Sequence, residues 1–330
     1  MIPTLAVEHL RTHFFTKDGV VKAVDGIDFR VNPGEIMGLV GESGSGKSMT
    51  GYSIIGLVDE PGRIVGGRIM LKGEDLRTYS AQQLRSVRGN RIAMIFQDPM
   101  MTLNPVLRID TQMIEAITAH HRISRAVARE RAGEALARVG IASAQERLSA
   151  YPHQFSGGMR QRVAIAIALL NKPDLIICDE PTTALDVTIQ GQILFEMQKL
   201  CRESGTALIW ITHDLSVVAG LADTVSVMYA GRIVEAGPVV DVLESPRHPY
   251  TAGLIASTPA AATRRGHARG QPLAQIPGMT PSLLKLPAGC AFRERCNRAS
   301  DICNTEPPLL SGKDGIALRC FHPIAAAMTV

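Results

Sequence analysis

Residues Gly41-Glu-Ser-Gly-Ser-Gly46-Lys47-Ser48 fit the pattern G-x-x-x-x-G-K-[ST] at every fixed position. Each fixed residue has a job in holding phosphate. The glycines let the backbone curl so that successive N–H groups converge on phosphate oxygens, and a helix that follows adds its positive N-terminal end. Lys47 supplies a charge for the β and γ phosphates, and the Ser48 hydroxyl suits Mg²⁺. A second group of residues suits the same chemistry: the run "PDLIICDEP" (173–181) ends in Asp179 and Glu180. There Asp179 would hold Mg²⁺, directly or through water, and Glu180 would polarise an attacking water. A third group is of another kind. Cys290, Cys296, Cys303 and Cys320 are spaced C-x5-C-x6-C-x16-C, whereas the first 289 residues hold only Cys178 and Cys201. The gaps match neither the short spacing of zinc knuckles nor the common ferredoxin patterns, so the residues alone give four soft ligands, suited to a metal.

These residues need a scaffold. The apolar run Ile36 to Val40 leads through glycines and serines into a stretch with helical apolar spacing at Ile54, Ile55 and Leu57, which reads as strand, loop, helix. The run before Asp179 reads as a buried parallel strand with its acids at the carboxyl end. Ser124 is a natural N-cap for the amphipathic run "RAVARERAGEALARVGI". The last third is rich in Pro and Gly, so most of it is expected to be loop held by something other than a large core. Cys178, on the buried strand, and Cys201, on a helix, read as packing residues.

Composition narrows the class. A chain of 330 residues is long enough for one large domain with an appendage or for two domains. A net charge of +4, 4% aromatic residues and dispersed basic residues argue against a dedicated nucleic-acid binder. The longest apolar stretch, "VAIAIALL" at 163–170, has eight residues against the roughly 20 that cross a bilayer, so no membrane span is expected. The first fifteen residues lack the pattern of a secretory signal, and the expected compartment is the cytoplasm, where clustered thiols suggest metal before disulfide.

Four further stretches, taken with the acids already named, give a family resemblance. "FSGGMRQR" (155–162) resembles the signature of ATP-binding-cassette (ABC) ATPases, and with Gln97 in "IFQDP", the acids of "DEP", "TALD" (183–186) and "ITHD" with His213 it stands in the order that family shows. The resemblance covers about residues 5 to 240. It implies an α/β, P-loop NTPase (RecA-like) nucleotide-binding domain formed by 1–97 and 158–243, with a helical subdomain at 98–157. It also implies that Gly41, Ser43, Gly44, Ser45, Gly46, Lys47, Ser48 and Met49 bind ATP. Mg²⁺ would be held by Ser48, Gln97 and Asp179. Glu180, His213, Gln97 and Lys47 would be catalytic. Ser156, Gly157 and Gly158 would face the γ-phosphate held by a second cassette, and Asp186 would face that second subunit. The aromatic that stacks on adenine is commonly Tyr in the family; here the candidates are Phe14 and Phe15, and Phe14 is preferred because stacking needs only a π face. Phe155 and Met159 stand where the usual signature has Leu and Gln.

"SPRHPYTAGLIAS" (245–257), "IPGMTPSLLKLPAGCAFRERC" (276–296) and "RCFHP" (319–323) resemble the tail of ATPase subunits from oligopeptide, dipeptide and nickel importers, especially the member of the pair that carries cysteines. That resemblance implies a small, loop-rich C-terminal cysteine domain at 244–330. Its four thiols would hold a [4Fe–4S] cluster, with Zn²⁺ the alternative. It further implies a second, paralogous ATPase subunit, two transmembrane permease subunits and an extracytoplasmic solute-binding protein, with this chain peripheral on the cytoplasmic face of the inner membrane and no nucleic-acid partner. Peptides are the expected cargo, with nickel chelates and opines open. A single phosphate loop and the lack of sustained heptads set aside cassettes that act on nucleic acid or ribosomes.

Overall fold

Three runs of uninterrupted apolar residues, too short for helices, pair side by side in the computed structural model, which describes residues 2–98, 102–182, 187–258, 274–312 and 315–325. Ile92–Ile95 lies parallel to Leu175–Asp179, with Ile92 opposite Leu175, and Leu175–Asp179 lies parallel to Ala207–Thr212, with Asp179 opposite Ile211. Every residue of the two longer strands is buried, as strands covered on both faces should be. Cys178 sits there at 1% exposure, its thiol pushed up by burial. These strands belong to one of two compact units, made of Met1–Leu5, Val31–Ile36 and Met70–Ile211.

The same unit holds the helices that follow Gln97 in the chain. Ile109–Thr118 buries Ile109, Met113, Ile114 and Ile117 on one face. Arg125–Arg138 starts at Ser124, whose side chain accepts the Val127 N–H at 3.3 Å, and buries Ala128, Ala132 and Leu136. The small buried side chains of that second helix let it pack closely on the first and on Gly157–Leu169.

The other unit is made of Ala6–Arg30, Met37–Ile69 and Thr212–Val330. Antiparallel strands Gly19–Val31, Leu5–Thr16 and Gly62–Leu71 lie in that order. Ile36–Val40, buried throughout, runs parallel to Thr224–Tyr229, which pairs antiparallel with Arg232–Pro238. Ala317–Leu318 and then Leu310–Ser311 extend this pairing. The C-terminal third thus clusters with the phosphate loop, and among its described residues beyond 274 it is built of one-turn helices and two-residue strands.

An aromatic cluster replaces a large core there. Tyr229, Tyr250 and Phe292 are at most 4% exposed, with ring centroids 4.6 to 5.4 Å apart in tilted and edge-on arrangements. Beside it the fully buried Glu235 accepts the N–H groups of Arg247 at 2.7 Å and His248 at 3.0 Å, satisfying donors at the start of helix Pro249–Ala256. Burial nonetheless raises its carboxyl above the usual range.

His248 caps that helix by accepting the Tyr250 N–H on Nδ1 at 3.0 Å, which requires a neutral ring. Burial lowers its pKa from 6.5 to about 4. The unfolded chain therefore takes up this proton at higher pH than the folded one. Its stabilising contribution is complete above about pH 6.5 and is lost as pH falls toward 4, for a total of the order of a few kcal/mol. Urea-unfolding midpoints measured from pH 7 to 4 are expected to fall in the wild type and to fall less in His248→Asn, which keeps a capping oxygen that does not titrate.

Candidate active site

The phosphate loop is pinned by backbone packing. Gly41 follows the buried strand at φ 154°, and a Cβ there would lie 2.2 Å from the Met228 carbonyl oxygen. Gly46 has φ 105°, and its Cβ would lie 2.2 Å from the Ala23 carbonyl oxygen. No L side chain fits either place. The Gly231 N–H donates to the Ser45 carbonyl at 2.9 Å and the Ser45 N–H to that of Glu42 at 3.2 Å, closing the curl. Helix Lys47–Ile55 then begins with no side-chain cap and no acidic residue in its first turn, so nothing in that turn neutralises its positive end. Ser45 Oγ is buried and has no hydrogen-bond partner. Lys47, 5% exposed, donates from Nζ to the carbonyls of Gly41 at 2.8 Å and Glu42 at 3.0 Å, which lays its ammonium across the curl. A cradle of backbone amides, a helix start and a buried cation suits a polyphosphate.

The acids sit at a strand end. Asp179 is 2% exposed. Glu180 follows with φ 45°, a left-handed conformation costly for a non-glycine residue, and its N–H donates to the Ile211 carbonyl at 2.9 Å. Gln97, exposed just beyond strand Ile92–Ile95, donates from Nε2 to Glu180 Oε2 at 3.4 Å. Two residues predicted to be catalytic are thus brought together because each follows one of two directly paired parallel strands. Ser156 accepts the Met159 N–H at 3.3 Å as N-cap of helix Gly157–Leu169, with Gly157 exposed and open space where its Cβ would be. Phe155, the departure from the usual signature, is 3% exposed and serves as packing.

His213 is exposed, directly after Thr212 and before Asp214, which caps helix Leu215–Leu221 through the Ser216 N–H at 2.8 Å. The Phe14 ring lies against Gly62, where a Cβ would meet it at 2.5 Å, and Phe15 is 39% exposed with the Arg63 guanidinium 4.2 Å over its ring. Asp186 lies outside the described residues.

The four C-terminal thiols share one region. The Cys290 N–H donates to the Cys303 carbonyl at 2.9 Å, and Cys320 Sγ accepts the His322 N–H at 3.3 Å. Burial raises the thiols of Cys290, Cys296 and Cys320, the last to about 11, and in each case the charge of Cys303 adds to the shift. Among the described residues no three His, Cys, Asp or Glu side chains are grouped as ligands of a metal ion. The spacing-based expectation of thiols gathered round one metal centre is thus met only as far as a common neighbourhood, with Cys303 buried and Cys290, Cys296 and Cys320 partly exposed.

A part of the loop's surroundings was missed in the sequence. Glu42 is gripped by Arg295, Thr280 and Tyr250, residues with no local motif to mark them.

Comparison with known proteins identifies this arrangement. The model of the ABC transporter family matches residues 24–183, and that of the oligopeptide/dipeptide transporter C-terminal region matches 234–303. The chain is 47% identical to the oligopeptide transport ATP-binding protein OppD of Salmonella typhimurium, over 97% of this chain and 94% of that one. The chain belongs to the ABC transporter family. To the oligopeptide transport ATP-binding protein AppD of Bacillus subtilis this ABC ATPase is also 47% identical, over 97% of each chain. A dimeric ATP-binding cassette in a post-hydrolysis state, bound to ADP and Pi, superposes with a TM-score of 0.65 at 25% identity, covering 71% of this chain and 98% of that chain. A dimeric bacterial ABC transporter cassette gives the same TM-score at 26% identity and the same coverage.

The glycine packing makes a prediction about this ATPase. Gly46→Ala is expected to abolish ATP binding in an equilibrium titration and to cost about 1–3 kcal/mol in urea unfolding from backbone strain alone.

Proposed function

We propose that this ABC ATPase is the motor subunit of a peptide importer, peripheral on the cytoplasmic face of the inner membrane. In this reading it works with a second, paralogous ATPase subunit, two transmembrane permease subunits and an extracytoplasmic solute-binding protein. The observation that carries the reading is the near full-length likeness to oligopeptide transport ATP-binding proteins, which includes the C-terminal region and not the cassette alone. Among the described residues no helix is long and apolar enough to cross a membrane, which agrees with separate permease chains.

The residues act as follows. The amides of Gly41 to Met49, with the side chains of Ser43 and Ser45 nearby, cradle the ATP phosphates, and Lys47 exchanges its two carbonyl partners for phosphate oxygens. Phe14 offers its ring to adenine. Ser48, Asp179 and Gln97 would hold Mg²⁺, which would supply positive charge to the phosphates. Glu180, fixed by its strained backbone and by Gln97, takes the proton-accepting side of the attacking water. His213 senses the γ-phosphate. Ser156, Gly157 and Gly158, a capped and open helix start, serve the ATP of the second cassette, and Asp186 faces that subunit. The ATP thereby favours the closed pair, and hydrolysis removes the contact that favours it.

Cys290, Cys296, Cys303 and Cys320 are the ligand set for a [4Fe–4S] cluster, with Zn²⁺ the alternative. Four soft donors in one region of the fold support this reading, and they would supply thiolates to the iron.

Glu180→Gln is expected to keep the ATP dissociation constant within about threefold while lowering kcat of the assembled transporter by about 10²–10⁴. Turnover near the wild-type value would show that Glu180 is not the base. Anaerobically purified protein is expected to contain iron and acid-labile sulfide and to absorb broadly near about 400 nm. One equivalent of zinc with no such absorbance would replace the cluster with zinc.

A further inference from the structure

Residues of the C-terminal region hold the phosphate loop at Glu42. Glu42 directly follows Gly41 in the loop. Arg295 makes a two-pronged ion pair with its carboxylate, Nη1 to Oε2 at 2.7 Å and Nη2 to Oε1 at 3.0 Å, and Thr280 Oγ1 donates to Oε2 at 2.9 Å. The Glu42 N–H donates to Tyr250 Oη at 2.8 Å, and its carbonyl accepts from Lys47. The guanidinium is itself immobilised. It is 6% exposed, gives its Nε–H to the Pro277 carbonyl at 2.9 Å, and lies 5.8 and 5.9 Å over the rings of Tyr229 and Phe292. Arg295 stands on the one-turn helix Arg293–Arg295, between Cys290 and Cys296.

A carboxylate beside a phosphate-binding loop is a hazard. It repels the polyphosphate and competes for the lysine that should meet it. Glu42 is within electrostatic range of Lys47: its carboxyl is held below the usual range first by the hydrogen bond from Arg295, against desolvation, then by Thr280, with the charge of Lys47 contributing. Forked pairing with a rigid guanidinium fixes such a carboxylate more firmly than a lysine could.

We propose that Arg295 is a positioning residue for ATP binding: it holds the Glu42 carboxylate away from Lys47 and cancels its charge, leaving Lys47 to the nucleotide. This rests on the reading of Gly41 to Ser48 as the ATP loop.

The test is the ATP dissociation constant of the full-length chain, titrated at low and high salt, with folding followed by circular dichroism. Arg295→Ala is expected to weaken ATP about tenfold at low salt and less at high salt, because a freed carboxylate acts through a screened charge. Arg295→Lys, which keeps the charge but loses the fork, is expected to bind more weakly than wild type and more tightly than Arg295→Ala. Adding Glu42→Gln to Arg295→Ala is expected to restore binding to within about threefold of wild type, since no carboxylate remains to be restrained. If Arg295→Ala unfolds the region, Arg295→Met takes its place. Wild-type affinity in Arg295→Ala, or no rescue by Glu42→Gln, overturns the proposal and leaves the pair as a structural anchor. Lys47→Ala separates the two levels: binding that survives it sinks the loop reading itself, whereas binding lost there but unaffected in Arg295→Ala sinks only this inference.

Discussion

Contact between backbones at the phosphate loop is the constraint on which the rest depends. At Gly41 and Gly46 the chain passes so close to the carbonyls of Met228 and Ala23 that a methyl group has no room. The curl is therefore fixed by packing at Gly41 and Gly46 before any ligand arrives. The buried strand Ile36–Val40 aims the loop, and the uncapped start of helix Lys47–Ile55 leaves it positive. The aromatic cluster of Tyr229, Tyr250 and Phe292 then builds outward from the strand that supplies the Met228 carbonyl. The C-terminal region is thus part of the loop's support.

The residues proposed for hydrolysis follow another logic. Asp179 and Glu180 end a strand that parallel neighbours cover on both edges, so their positions are set by a rigid ladder. The left-handed backbone at Glu180 stores strain where a carboxylate must point in one direction, and Gln97 reaches it from the end of the adjacent strand. Division of labour between a pinned loop and a strand end suits an enzyme that must bind tightly and then let go.

Much of this was legible in the sequence because the relevant residues are contiguous. The loop, the apolar strand before Asp179 and the Ser124 cap are each decided by neighbours within a few positions, where turn chemistry and periodicity act. The left-handed Glu180 and the packing of Phe155 were not legible, since both arise from what surrounds them in space. Nor was the grip of Arg295 on Glu42, whose partners are 253 residues apart. Arg295 reads in sequence as one more basic residue in "AFRERC", and only the fold shows it buried against two aromatic rings. The tail's Pro and Gly content did announce loops, but not that a buried carboxylate and three aromatic rings would hold them.

The central claim is that ATP is held between this chain's phosphate loop and the Ser-Gly-Gly turn of a facing cassette. A map of the assembled transporter carrying Glu180→Gln, with ATP and Mg²⁺ bound, tests it most directly. The account predicts the amides of Gly41 to Ser48 wrapped round the β-phosphate of one nucleotide and Ser156 to Gly158 within hydrogen-bond distance of the γ-phosphate of the other. A closed, nucleotide-filled pair with Ser156 to Gly158 remote from any phosphate would contradict it.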